Sequence, residues 1–397
     1  MTTTTIIERT GSADVYGIEN RLFSISFNVI KLSGFWRPTT FRKPFDYLYE
    51  MYTLFCLVGI LMLIATIIVD NVVTEKSIRS LIENLYLILT VSNGISKLCN
   101  IYHRRDRVIS MLQRSSEDRW SVHRDEEEAR IVEESIESES YIIRFCIYLV
   151  TINNVSNALN PILNPDPEHD LMVDAYSPCD RSKSALCFWT AYLYQVFGYV
   201  STSLVHVGCD CLVFNFVDRL CAHLKILEHR ILQLPDLVEA NACDEIRYLK
   251  SCIEDHHSIC EGIKELNDTF YETIFIQFVT SISVLCTNIY LLSMQDLFSA
   301  EFIAVFVYLC CAFVQNFFYC WYGYKVSVNT LHISDAIFNM NWCILKRESK
   351  KILSYVMMKT SQKVFLFNSA VVTLTPESFV NILKVSYSAF NILQQTK

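Results

Sequence analysis

Seven stretches of about 20 mostly apolar residues, the length that crosses the hydrocarbon core of a bilayer, run along this 397-residue chain. They fall at 47–69, 78–98, 142–163, 185–217, 270–293, 302–323 and 364–395. In lipid, backbone polar groups must be met within the protein, and an apolar segment of this length does so as a helix. The expected fold is therefore all-α and polytopic. Composition agrees: 52% of residues are hydrophobic and 19% charged, against about 25% charged in a soluble domain. With only 9 Gly and 8 Pro, collagen-like and disordered classes are excluded. The second stretch is the most polar, carrying Glu83, Asn84, Thr90, Ser92 and Asn93. The fourth is too long for one crossing and should project beyond the bilayer. The seventh is interrupted by Thr373, Thr375, Pro376 and Glu377. Residues 1–46 lack the apolar core of a signal peptide, so the first span is expected to target the membrane itself.

Lys and Arg set the orientation. The segment before the first span carries six, and those after the second, fourth and sixth spans carry seven, six and seven. The opposite side carries four: Lys76, Arg181, Lys183 and Lys397. The N-terminus is therefore expected in the cytoplasm and the C-terminus outside. A seven-span G-protein-coupled receptor has the reverse orientation. Its Asp-Arg-Tyr after the third span and Asn-Pro-x-x-Tyr in the seventh do not occur here. A transporter would show internal repeats and Gly/Pro-broken spans, and no repeat is seen. No phosphate-binding or nucleophile-elbow motif and no nucleic-acid-type basic run occurs. The chain is read as no enzyme, with no cofactor and no nucleic-acid partner.

The cytoplasmic segments suggest more helix. The run from Arg124 to Ser140 is strongly acidic, and reads as a solvated helix face rather than an ion-attracting rim. Leu220, Leu224, Leu227, Ile231 and Leu234 make a narrow apolar stripe. A second seam runs Ile246, Leu249, Ile253, His256, Cys260 and Ile263. Residues 337–358 form a third amphipathic stretch. The three together could pack as one bundle below the membrane, or against neighbouring subunits. Cys252, His256, His257 and Cys260 have helical spacing and could hold zinc, but a solvated His pair is the simpler reading. Most of the 16 Cys lie in apolar runs as small hydrophobes. Cys179 and Cys187 alone fall near an outer loop, which allows at most one disulfide. The sequons at Asn154 and Asn267 fall in a span and on the cytoplasmic side, so neither should be glycosylated. The expected organisation is a cytoplasmic segment at 1–46, spans one to four at 47–217, an anchor extension at 218–268, spans five and six at 269–323, anchor helices at 324–363 and the seventh span at 364–397.

The C-terminal eighty residues contain FFYCWYGYKV from Phe317, SDAIFNMNW from Ser334, KKILSYVMMKTSQK from Lys350 and LTPESFVNILKVSYSAFNIL from Leu374. In these stretches the chain resembles the insect odorant receptor family. One departure is Asn368-Ser-Ala, where members often carry Gly. Length, span number, charge orientation and a Pro-bearing second outer loop (Pro161, Pro165, Pro167, Pro178) are consistent over the whole chain. The Thr-Tyr-x5-Gln-Phe ending typical of gustatory receptors is absent, and the co-receptor subunit has a longer second cytoplasmic region. The chain thus looks like an odorant-binding tuning subunit; a gustatory-type channel or a G-protein-coupled receptor is the alternative.

The resemblance implies a ligand-gated, non-selective cation channel, a heterotetramer with the odorant co-receptor in the plasma membrane of olfactory sensory neurons. It implies a pore lined by the seventh spans, with Ile392 as the hydrophobic gate, Gln395 as a polar ring and Thr396 beside it. It also implies a volatile ligand bound in the outer half of the bundle among spans two, three, four and six. Candidate contacts there are Tyr86, Ile88, Leu89 and Ser92 on the second span, and Asn154 and Asn157 on the third. The fourth span offers Trp189, Tyr192, Gln195 and Phe197, and the sixth Tyr308 and Phe313. Amides within a span are costly unless used, which favours Asn154 and Asn157. The number of polar candidates suggests a ligand with a hydrogen-bonding group rather than a pure hydrocarbon.

Overall fold

The computed structural model describes residues 23–37, 45–74, 78–115, 117, 120, 122–163, 171–179, 184–297, 299–362, 364–367 and 373–395. Among them there is no strand. The helices are α1 (Ser24–Leu32), α2 (Phe45–Val73), α3 (Ile78–His103), α4 (Arg105–Ser115), α5 (Glu126–Leu163), α6 (Ala185–Glu239), α7 (Glu245–Leu292), α8 (Ala300–Asn339), α9 (Arg347–Thr360) and α10 (Pro376–Gln395). The seven expected spans are α2, α3, α5, α6, α7, α8 and α10.

Five of these, α2, α5, α6, α7 and α8, are long and apolar enough to cross a membrane by length and composition. On α2 the buried stripe Cys56, Ile60, Leu63 and Ile67 faces the bundle, while Leu48, Leu54, Phe55, Leu61 and Ile68 are exposed. A helix apolar all round belongs in lipid. Helix α3 is more polar because it faces inward: Asn84, Asn93 and Lys97 are all buried. Helix α10 starts at Pro376, later than the 364 expected. Proline is pre-organised for the first helical position, and the Thr375 hydroxyl caps it by accepting the Ser378 N–H at 3.2 Å. The interrupting residues are thus a helix start. Just before it, Asn267 on α7 holds the Phe367 N–H at 2.9 Å.

Helix α6 is the axis of the molecule. Its 55 residues span about 80 Å at 1.5 Å per residue, far more than the roughly 30 Å of hydrocarbon. Its C-terminal half buries Leu220, Leu224, Leu227, Ile231 and Leu234 in the main hydrophobic core. Helix α1 adds Phe23, Phe27 and Ile30 to the same core. Gly208 lets it approach, since a Cβ there would lie 2.8 Å from Ile30.

Two expectations about these lower segments are corrected. The seam on α7 is rotated: the buried face is Leu249, Cys252, Asp255, Ile259, Ile263 and Leu266, and Cys260 is exposed. Asp255 must turn inward to meet Arg230, which is 1% exposed. The acidic run is also not simply solvated. Glu128 binds Arg230 through both oxygens at 2.7 and 3.0 Å, and Asp255 binds it at 2.8 Å. The buried Glu139 meets Arg219 at 3.4 Å. The N-terminus of α5 is fixed by a reciprocal pair close to a capping box. Asp125 accepts the Glu128 N–H at 2.9 Å, and Glu128 accepts the Arg124 N–H at 2.9 Å. Among the described residues, no group of three or more His, Cys, Asp or Glu converges as a metal site.

Candidate functional site

Within the spans, α3, α5, α6, α7 and α8 line a partly open cavity of about 130 Å³. Its walls are mostly apolar, including Leu87, Val91, Leu149, Val284 and Ala312. Each helix also contributes polar groups: Thr90 and Asn93 from α3, Asn153 from α5, Tyr199 and Asp210 from α6, Gln277 and Ser281 from α7, and Tyr308 and Gln315 from α8. Apolar walls with a few fixed polar groups are the usual make-up of small-molecule sites.

One side of the cavity holds an ion pair inside the bundle. Lys97 and Asp210, 1% and 5% exposed, meet at 2.5 Å. Removing two charges from water costs several kcal/mol per ion unless further hydrogen bonds complete their shells. Here they do. Tyr319 donates to Asp210 Oδ1 at 2.5 Å, and Gln315 donates to Oδ2. Lys97 also donates to His206 Nδ1 at 3.2 Å. An ammonium has only hydrogens to give. The histidine therefore carries its hydrogen on Nε2 and donates to the Thr90 carbonyl at 3.0 Å. The charges cancel in place, so the cavity offers an apolar volume with neutral hydrogen-bonding edges.

Of the residues expected at a ligand site, Tyr308 lines this cavity. Its hydroxyl pairs with that of Thr90 at 2.7 Å, and its ring lies 5.3 Å from that of Tyr86. Ile88 and Phe313 are partly buried against the main core, Leu89 is partly buried, and Ser92 is exposed. On α5 it is Asn153, not Asn154, that lines the cavity, donating to the Tyr199 hydroxyl at 3.0 Å. Asn157 lies one turn on and donates to the Asn153 carbonyl at 2.9 Å. Asn154 points elsewhere, and its buried Oδ1 has no partner among the described residues.

The α6 candidates sit nearer the helix start, away from the cavity. Gln195 is fully buried and clamps Val173, accepting its N–H at 3.2 Å and donating to its carbonyl at 2.9 Å. Tyr192 donates to the Ala158 carbonyl at 2.5 Å, Trp189 is half exposed, and Phe197 packs on Phe55 at 4.6 Å. Cys179 and Cys187 form a disulfide that ties the preceding loop to α6. Sequence reasoning passed over Lys97, Asp210, His206 and Gln277. An ionisable residue in each of two apolar spans is itself a signal of an internal site.

At the far end, α10 packs on α7 through buried Ile382 and Ser386 and leaves Val380, Val385, Tyr387 and Ile392 exposed. Gln395 is the last residue of the helix, and Thr396 lies outside the described residues.

A family model described as 7tm Odorant receptor matches residues 77–387. Odorant receptor 2a of Drosophila melanogaster is 21% identical over 388 residues, covering 94% of this chain and 96% of its own. Odorant receptor Or1 of Anopheles gambiae is 22% identical over 344 residues, 80% of this chain and 82% of its own. The structure of the olfactory receptor OR5 from the insect Machilis hrabei in complex with eugenol superimposes with a TM-score of 0.82 at 13% identity. That match covers 97% of this chain and 100% of the other.

Proposed function

The chain belongs to the 7tm odorant receptor family, and from that premise we propose that it binds a volatile small molecule in the cavity between α3, α5, α6, α7 and α8. Binding opens a non-selective cation channel, which the chain forms as a subunit of a heterotetramer with an odorant co-receptor. It is a receptor and not an enzyme. The observation that carries the reading is the partly open, mostly apolar cavity of about 130 Å³ between the spans. A buried apolar cavity of about 150 Å³ takes up benzene, so the volume suits a one-ring odorant. The exposed side of α10 supports the pore assignment. Val380, Val385, Tyr387 and Ile392 are 46 to 65% exposed on a helix whose other side packs on α7, a surface that suits neighbouring subunits around a pore. Ile392 is its hydrophobic constriction, followed by Gln395 and Thr396. The Lys/Arg bias supports a cytoplasmic N-terminus and an extracellular C-terminus, and family membership supports a place in the plasma membrane of olfactory sensory neurons.

The test is whole-cell current in cells expressing the chain with and without an insect co-receptor, under a panel of volatile one-ring odorants. An inward cation current confined to co-expressing cells is expected. Silence with both proteins confirmed at the surface, or current from the chain alone, would overturn the heteromeric reading.

A further inference from the structure

The hydrogen-bond polarity of the cavity wall can be traced outward from Asp210. A carboxylate only accepts, so Gln315 must present its Nε2 to Asp210 and turn its Oε1 outward. That oxygen accepts from Gln277 Nε2 at 3.0 Å, whose other hydrogen goes to Ser281 at 3.0 Å. Gln277 therefore turns its own Oε1 to Asn93, which donates Nδ2 at 2.6 Å. The chain ends on Asn93 Oδ1. This atom is buried in a residue 4% exposed and has no donor among the described residues. No amide in the series can be flipped without setting two acceptors or two donors face to face.

The hydroxyls around it have spent their hydrogens. Thr90 donates to the Tyr86 carbonyl at 2.8 Å, so in the Thr90–Tyr308 pair it is Tyr308 that donates. Thr202, Thr280 and Ser281 each donate to a carbonyl one turn back, at 2.8, 2.9 and 2.6 Å. This part of the wall presents lone pairs to the cavity. On α6, Tyr199 and Ser203 have no acceptor among the described residues and keep hydrogens for a ligand oxygen. Resting on the proposed function, we infer that the ligand class is a neutral one-ring alcohol or phenol, whose hydroxyl hydrogen goes to Asn93 Oδ1. A cation is disfavoured because Lys97 already neutralises Asp210.

The test uses the purified full-length chain in complex with its co-receptor. Dissociation constants are measured by ligand-observed NMR for benzyl alcohol, benzaldehyde and ethylbenzene. These three are near in size; the first both donates and accepts, the second only accepts, and the third does neither. Benzyl alcohol should bind about tenfold more tightly than the other two, since a buried acceptor left unpaired is costly. In N93L this ratio should shrink to about twofold. Two cavity-filling variants, A312F and V284F, locate the site; either one that elutes as an intact complex suffices. Equal binding of alcohol and aldehyde, abolished by cavity filling, would overturn the ligand class and leave the cavity as the odorant site. Binding untouched by cavity filling, or no binding of any of the three, would overturn the cavity reading and this inference with it.

Discussion

Replacing Lys97 with Met tests whether the ion pair beside the cavity is a coupled unit. Lys97→Met leaves the Asp210 carboxylate buried with Tyr319 and Gln315 as its remaining donors among the described residues. Removing one partner of a buried pair costs about 3–5 kcal/mol. Two hydrogen bonds to a charged acceptor survive, each worth about 1.5–3 kcal/mol, so the loss should lie near the lower end, about 3 kcal/mol. Adding Asp210→Asn removes the stranded charge. The amide oxygen still accepts from Tyr319, and only the bond from Gln315 loses its acceptor, at about 1–2 kcal/mol. The double variant should therefore be more stable than Lys97→Met alone. The assay is thermal unfolding of the detergent-solubilised complex followed by size exclusion. A fall on the order of 5 °C is expected for the single variant, with more than half recovered in the double. If adding Asp210→Asn lowers the midpoint further, the two charges are not coupled and the reasoning fails.

Below the membrane, Arg230→Met leaves Glu128 and Asp255 buried without their shared cation, and should cost about 3–5 kcal/mol. The triple variant with Glu128→Gln and Asp255→Asn should recover much of that in the same unfolding assay. Gly323→Ala would set a Cβ within 2.6 Å of the Leu374 carbonyl oxygen. Because the obstacle is backbone, a destabilisation of about 1–3 kcal/mol is expected, and an unchanged midpoint would mean that α8 and the approach to α10 are looser than described. For Asp125, burial alone would raise the carboxyl. Hydrogen bonds from the Glu128 N–H, His229 and Gln233 outweigh it and hold the pKa at about 2, below the ordinary 3.8. Its stabilising contribution is present above the unfolded value and lost as pH falls toward 2. The midpoint difference between the parent and Asp125→Asn should narrow from pH 5 to pH 3; a constant difference would remove the carboxylate's charge as the cause.

How far the sequence could be read depended on whether polarity marked a face. The Leu220–Leu234 stripe is buried as its spacing predicts, but Cys221, His223, Ile226 and Arg230 are buried beside it. Inside the bilayer that contrast disappears, because lipid and protein interior are both apolar. Asn153 and Asn154 are adjacent in sequence but about 100° apart around a helix, and nothing local separates the one lining the cavity from its neighbour. Gln195, expected among the ligand contacts, is instead spent on the Val173 backbone. On α7 the apolar repeat was overridden by a single salt bridge, since Asp255 had to face Arg230. Pro376 was legible as a helix start, but it lay within a continuous apolar stretch and was read as an interruption.

The length of α6 has a mechanical consequence. One unbroken helix carries Tyr199, Asp210 and Phe214 at the cavity and Leu220 to Leu234 in the core toward its C-terminal end. Over about 80 Å, a tilt of one degree about the outer end displaces the inner end by about 1.4 Å. The helix is a lever whose short stroke at the cavity becomes a larger one at its C-terminal end.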